Sequence, residues 1–172
     1  MEEVILVDDQ DRPIGTMEKM EAHAKGQLHR AFSIFVFNSD GELLLHQRAF
    51  DKYHSGGLWT NTCCSHPRPG ESVLEAGHRR LMEEMGMACD LQERFSFVYR
   101  SELDQGLIEH ELDHVMFGVS DDLPVLNPEE VAAYRYASLE EISDEMADDP
   151  DLFTEWFKIC FAEVLKHRNS GE

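Results

Sequence analysis

The stretch "AFSIFVF", residues 31 to 37, restricts the fold of this chain more than any other segment. It is a nearly continuous apolar run with no polar face to show to water, so it fits a central strand. "NSDGE", 38 to 42, carries an Asp-Gly turn, and "LLLHQR", 43 to 48, reads as the return strand of a hairpin. Further strands are predicted at "EVILVD" (3–8), "FSFVYR" (95–100), "LIEHELDHVMFGV" (107–119) and "YRYASL" (134–139). "KMEAHAKGQLHRAF", 19 to 32, is mixed in character and holds His23 and His29.

Helices are punctuated by their caps. In "ESVLEAGHRRLMEEMGM", 71 to 87, Ser72 and Glu75 form a capping box, and Gly86 is a stop signal. Leu74, His78, Leu81 and Met85 fall on one face at helical spacing. Ser138 and Glu141 offer a second capping box. A last helix is predicted to begin near Asp149-Pro150, with proline at its first position. Its stripe of Leu152, Phe153, Trp156, Phe157, Cys160, Phe161, Val164 and Leu165 must pack on the sheet. Strands, helix, strands, helices in that order imply an α+β fold, a sandwich of the α/β/α type with a mixed sheet flanked by helices. The length of 172 residues suits one domain over 1–172.

With 35 acidic and 15 basic residues the formal net charge is −20, a surface that repels nucleic acid and anionic membranes. An anionic small substrate would be repelled too, unless a metal ion or a local Lys/Arg group reverses the field. No run of about 18 apolar residues suggests a membrane span. The acidic start "MEEVILVDDQ" does not read as a signal peptide, so a cytoplasmic location is expected. There the four cysteines, Cys63, Cys64, Cys89 and Cys160, should be thiols.

Three segments hold chemistry. "TNTCCSHP", 60 to 67, puts two cysteines side by side within the long Gly/Pro-rich stretch 49 to 71. Neighbouring cysteines rarely pair with each other, which leaves distant disulfides, a metal site, a reactive thiol or burial. On the helix, Arg79/Glu83 and Arg80/Glu84 are four apart, so the carboxylates could hold Mg²⁺ or form solvated ion pairs. On the strand, Glu109 and Glu111 share a face, and their burial would be costly without a cation or a shared proton. His23, His29 and His66 are available as nitrogen ligands. Three His and two Glu suit a five- or six-coordinate Mn²⁺, Mg²⁺ or Zn²⁺, with imidazole tilting the choice away from Mg²⁺ alone.

The helix resembles the Nudix box, G-x5-E-x7-R-E-U-x-E-E-x-G-U with U a bulky aliphatic. Glu71, Arg79, Leu81, Glu83, Glu84, Gly86 and Met87 match it. Ser65 replaces the opening Gly, and Arg80 replaces the Glu of the R-E pair. That second change removes a metal-binding carboxylate and should impair water attack at phosphorus. Together with "GTMEKMEAH", "LHRAFS", "LLLHQRA", "WTNTCCSHP", "YR", "EHELDHVM" and Trp156, the chain is similar to the type I isopentenyl-diphosphate isomerases, a Nudix-fold family. The resemblance implies interconversion of isopentenyl and dimethylallyl diphosphate. It implies that Cys64, not Cys63, and Glu111 are catalytic, with Tyr99 in support. It implies a metal held by His23, His29, His66, Glu109 and Glu111, and a Mg²⁺ on the diphosphate side near Glu84 and the Cys64 backbone. Lys19, Arg48, Lys52 and Arg80 match residues around the diphosphate, and Trp156 matches an aromatic over the hydrocarbon.

A Nudix-type diphosphate hydrolase is the alternative that Arg80 disfavours, and a non-catalytic metal- or isoprenoid-binding module is a third. The expected partner is a small isoprenoid diphosphate, with no nucleic acid and no membrane, acting on a monomer. His110 and His114 face away from Glu111 and are expected to be structural. His46, His54, His78 and His167 are expected at the surface or in packing, Cys63 in packing, and Cys89 and Cys160 in the core or at the surface.

Overall fold

Strand β3, His29–Phe37, is the axis of the sheet. The computed structural model describes residues 2–52 and 54–170, and in it this strand pairs with four others. It runs parallel to β8, Ile108–Val119, from His29↔Glu111 through to Phe37↔Val119. On its other edge it runs antiparallel to β6, Cys63–Ser65, with Ser33 opposite Cys64. It also meets β1, Glu3–Val7, at Leu6↔His29 and β4, Leu43–Arg48, at Phe37↔Leu43. β1 pairs with β2, Pro13–Glu18, and β4 with β5, Trp59–Thr60, and β9, Val131–Ala137. β7, Leu91–Glu102, runs antiparallel along β8.

The apolar run of β3 is continuous because both of its faces are covered. Phe35 and Phe37 join Val115, Phe117, Phe153, Phe157, Phe161 and Val164 on the side of α4, Glu155–Ser170. Phe32, Ile34 and Val36 join Ala76, Leu81, Met85 and Met116 on the side of α2, Val73–Met85. Two short helices complete the fold, α1, Lys19–Lys25, and α3, Leu139–Asp148. The expected mixed sheet flanked by helices is therefore present.

Both capping boxes form, at Ser72/Glu75 and Ser138/Glu141. The buried face of α2 is rotated from the predicted one. Leu74 is 42% exposed and His78 is exposed, while Ala76, Gly77, Leu81, Glu84 and Met85 are buried. The reason is close approach: a Cβ at Gly77 would lie 2.7 Å from the Met116 Cε atom, so small residues face the sheet there. Pro150 also differs from expectation. It opens a 3₁₀ turn, Pro150–Leu152, and the helix proper starts at Glu155. Phe153 bridges Trp59, the Thr154 N–H donates to the Trp59 carbonyl, and the Thr154 hydroxyl accepts from the Phe157 N–H as an N-cap. The long Gly/Pro-rich stretch 49 to 71 holds two short strands, because its backbone pairs with β3 and β4.

Gly86 ends α2 at φ +61, and a Cβ there would sit 2.5 Å from the Val125 carbonyl oxygen. Gly41, at φ +79 in the β3–β4 turn, has nothing near its missing Cβ. Gly41→Ala should cost only the left-handed penalty, about 1–2 kcal/mol, which is roughly 2–4 °C of Tm per kcal/mol at this size. Gly86→Ala should lower Tm by at least twice the Gly41→Ala shift. Equal melting shifts in the two variants would remove the close contact as the cause.

Candidate active site

The site grows from the odd-numbered face of β8. Glu109, Glu111 and Asp113 project there in turn, all buried. His29 starts β3 directly beside Glu111, and its Nε2 lies 3.2 Å from Glu111 Oε2. His66 follows β6 and places its Nε2 2.9 Å from the same oxygen. His23 comes from α1, capped at one end by the Glu18 side chain and ended by Gly26 at φ +67. Its Nε2 lies 3.1 Å from Glu109 Oε2. Tyr99, opposite Glu111 on β7, brings its hydroxyl to 2.7 Å from Glu111 Oε1 and 3.0 Å from Glu109 Oε1.

These residues fit a divalent cation for a chemical reason. Nδ1 of His23 is 2.8 Å from the Lys19 carbonyl, and Nδ1 of His29 is 2.8 Å from the Gln27 carbonyl. A carbonyl only accepts, so each Nδ1 carries the hydrogen. In the neutral ring each Nε2 then presents a lone pair to a carboxylate oxygen, an unfavourable pairing unless a cation or a proton lies between. The donors of His23, His29, His66 and Glu111 all lie within 4.8 Å of one another.

Burial, with the Glu111 charge added, pushes Glu109 up to about 7. Burial acts on Glu111 in the same sense, but its hydrogen bonds with His29 and His66 outweigh it and hold that carboxyl well below the usual range. Burial pushes His66 down to about 4, against the pull of Glu111. Burial and hydrogen bonding thus push the two carboxyls in opposite directions.

Strand alternation divides the two cysteines. Cys63 points to the α2 side, fully buried, with its thiol donating to Glu84 Oε1 at 3.4 Å. Cys64 points the other way, and the Trp156 indole N–H donates to its sulfur at 3.1 Å. Burial raises the Cys64 thiol well above its ordinary value, so the sulfur keeps its hydrogen at neutral pH. The Arg48 guanidinium lies 5.1 Å from the Trp156 ring centre.

Cys64, Glu111, Tyr99, Glu109, His66, Glu84 and Trp156 line one cleft with Lys19, Arg48, Lys52 and Arg80. His23 and His29 lie fully buried behind the two glutamates. The cleft is open to solvent on one side. Its four cations face five carboxylates, Glu2, Glu84, Glu109, Glu111 and Glu130. Lys52 pairs with Glu130 at 2.6 Å, and Arg80 pairs with Glu83, Glu84 and Glu130. The Nε atoms of Arg48 and Arg80 are buried with no hydrogen-bond partner. Such donors suit an anion, and the excess of carboxylates calls for added positive charge beside it.

Four residues near the site escape the sequence reading. His54 and His46 are buried instead of lying at the surface or in plain packing: His54 lines the cleft, and His46 Nδ1 lies 3.1 Å from the Thr62 carbonyl and 3.8 Å from Glu84. Asp113 accepts a hydrogen bond from Ser33 at 2.8 Å, while its Oδ1 is buried without a partner. The E-x-E-x-D alternation is the signal that finds Asp113. Glu130 links Lys52 to Arg80, and no local pattern marks it. His110 and His114 do face away, His110 toward the Gly26 carbonyl and His114 toward Asp11 and Glu93.

The NUDIX domain profile matches residues 27–157. The chain is 59% identical to the isopentenyl-diphosphate Delta-isomerase of Pectobacterium atrosepticum, over 94% of this chain and 90% of that protein. It is 51% identical to isopentenyl-diphosphate Delta-isomerase 2 of Aromatoleum aromaticum, over 98% of this chain and 89% of that protein. The crystal structure of DR0079 from Deinococcus radiodurans superposes with a TM-score of 0.72, covering 86% of this chain and 90% of that one at 20% identity, a likeness of fold. With a Nudix sheet, a Nudix helix altered at Arg80 and relatives of this similarity over nearly its whole length, the chain belongs to the isopentenyl-diphosphate Delta-isomerase family within the NUDIX fold.

Proposed function

We propose that this cleft interconverts isopentenyl and dimethylallyl diphosphate by moving a proton across a C=C unit. The observation that carries this reading is the shared cleft of Cys64 and Glu111. They sit on β6 and β8, which flank β3 from opposite edges. Isomerisation adds a proton at the terminal alkene carbon and leaves a tertiary cation. Loss of a proton from the carbon nearer the diphosphate restores a double bond. Two groups on different sides of the substrate can do both, and the reverse reaction exchanges their roles.

Cys64, holding its hydrogen in a poorly solvated setting, is one proton-carrying group. Glu111 is the other, with its carboxylate oriented by Tyr99, His29 and His66. The Trp156 face stabilises the cation by about 2 kcal/mol when desolvated, and its indole N–H aims the Cys64 sulfur. Lys19, Arg48, Lys52 and Arg80 anchor the diphosphate and orient the chain. A Mn²⁺, Mg²⁺ or Zn²⁺ held by His23, His29, His66, Glu109 and Glu111 would supply a fixed positive charge that compensates the buried carboxylates. Glu84 and the Cys64 backbone are the groups we assign to Mg²⁺ on the diphosphate side.

Hydrolysis is disfavoured because Arg80 ties up Glu83 and Glu84 where a further carboxylate would be needed. No helix among the described residues is long and apolar enough to cross a membrane, and we place the enzyme in the cytoplasm.

Incubation with isopentenyl diphosphate, Mg²⁺ and Mn²⁺ should yield dimethylallyl diphosphate. Release of inorganic phosphate or diphosphate instead would favour the hydrolase. Cys64→Ala and Glu111→Gln should each lower kcat by about 10²–10⁴-fold, the span of a lost acid–base group, while Cys63→Ala keeps most turnover. Equal damage from the two cysteine changes would reassign the thiol. His66→Ala should lower bound metal in protein purified without chelator, and unchanged stoichiometry would show that the ligand set is wrong.

A further inference from the structure

The buried donors form two groups. One is His23, His29, His66 and Glu111; the other is His23, His54 and Glu109, and within each group the donor atoms lie within 4.8 Å of one another. Both groups use His23. Its Nδ1 is engaged by the Lys19 carbonyl, so this ring offers only Nε2 to the interior. One nitrogen cannot serve two ions, so the groups cannot both be filled separately; the six donors do not all lie within 4.8 Å of one another, and a single centre drawing on both groups requires His54 and Glu109 to close on the others. Tyr99 joins them, since its hydroxyl meets both Glu109 and Glu111. On the reading that this centre holds a divalent metal, we infer that His54 is a sixth protein donor to it, completing a shell of four imidazoles and two carboxylates.

The local backbone is shaped to present this ring. His54 is 3% exposed although it lies in the connection between β4 and β5. Arg48 holds its main chain, with Nη2 donating to the His54 carbonyl at 3.1 Å. The next residue, Ser55, is not glycine yet adopts φ +54, a conformation that costs about 1–2 kcal/mol. Gly56 follows so closely on Phe50 that a Cβ would meet the Phe50 carbonyl oxygen at 2.5 Å. Strain of this kind persists where the surroundings impose it, and ligand clamps are such places. The turned-in ring lies 6.0 Å from His23 and edge-on to Trp156 at 5.6 Å, between the metal donors and the tryptophan of the cleft.

The extra imidazole alters which ion the centre takes. Oxygen-rich shells suit Mg²⁺, whereas a nitrogen-rich six-donor shell favours Mn²⁺, Co²⁺, Ni²⁺ or Zn²⁺. The rival role for His54 is support of Trp156 alone, and such a role would leave the metal's own spectrum unchanged.

Co²⁺ alone serves as the probe, titrated into full-length protein stripped with a chelator and read by visible absorption and calorimetry. Wild type should bind one ion with the weak bands of a six-coordinate centre. His54→Ala and the bulkier His54→Gln should each bind at least about 10-fold more weakly, the lower bound seen even for a lost supporting residue. Their bands should intensify as coordination falls, and free imidazole should return the His54→Ala spectrum to that of wild type. Unchanged affinity and spectrum in both His54 variants, alongside lost binding in His66→Ala, would overturn the sixth donor and leave the five-ligand centre standing. A wild type that takes up no Co²⁺ would overturn the centre and the sixth donor together.

Discussion

The parallel pairing of β3 with β8 is the contact on which the site depends. It sets His29 beside Glu111, two residues 82 positions apart in sequence. A slip of one residue would turn every side chain of one strand to the opposite face, separating the imidazole from the carboxylate. The register is secured at the far end of the same face, where Phe35 and Phe37 pack with Val115, Phe117 and the α4 phenylalanines. One face of one sheet thus passes from charged to apolar within a single pair of strands. The apolar end supplies the burial free energy, at about 25 cal/mol per Å², that holds the charged end together. Without imidazoles nearby, two glutamates in such a place would carry a severe desolvation penalty.

The same strand geometry explains the neighbouring cysteines. β6 is only three residues long, yet its pairing with β3 is enough to send Cys63 to the α2 side and Cys64 to the cleft. Glu84 links the two environments, since it receives the Cys63 thiol and the Arg80 guanidinium while lining the cleft. Arg80 is one of the two departures from the Nudix box, with Ser65. It fills the place of a carboxylate with a cation that pairs with Glu83, Glu84 and Glu130. On a chain of net charge −20, two arginines and two lysines gather in one cleft beside five glutamates.

Much of this is legible in the chain itself. The apolar run of β3, the two capping boxes and the Glu109/Glu111 alternation are local patterns with one physical reading each. The choice of Cys64 over Cys63 is implied by family resemblance, and β6 turns Cys64 rather than Cys63 into the cleft. What escapes local reading is set by partners distant in sequence. α1 is short and mixed, and its His23 acquires meaning only from Glu109 on β8. The start of α4 is decided by Thr154 docking on Trp59, which overrides the proline signal at Pro150. The inward face of α2 is decided by Met116, which selects Gly77 and Ala76 over Leu74. His54 reads as a surface or packing histidine because nothing in "DKYHSGG" reveals that the loop folds back on Phe50.

The main-chain carbonyls of Lys19 and Gln27 each grip a histidine ring from behind. Tautomer and aim are therefore settled when the polypeptide folds, and the conformational entropy of ordering these rings is lost at that stage. A cation held by these rings would meet donors already oriented and would have little further ordering to impose. Exchange of one such ion for another would then turn on ligand preference and dehydration.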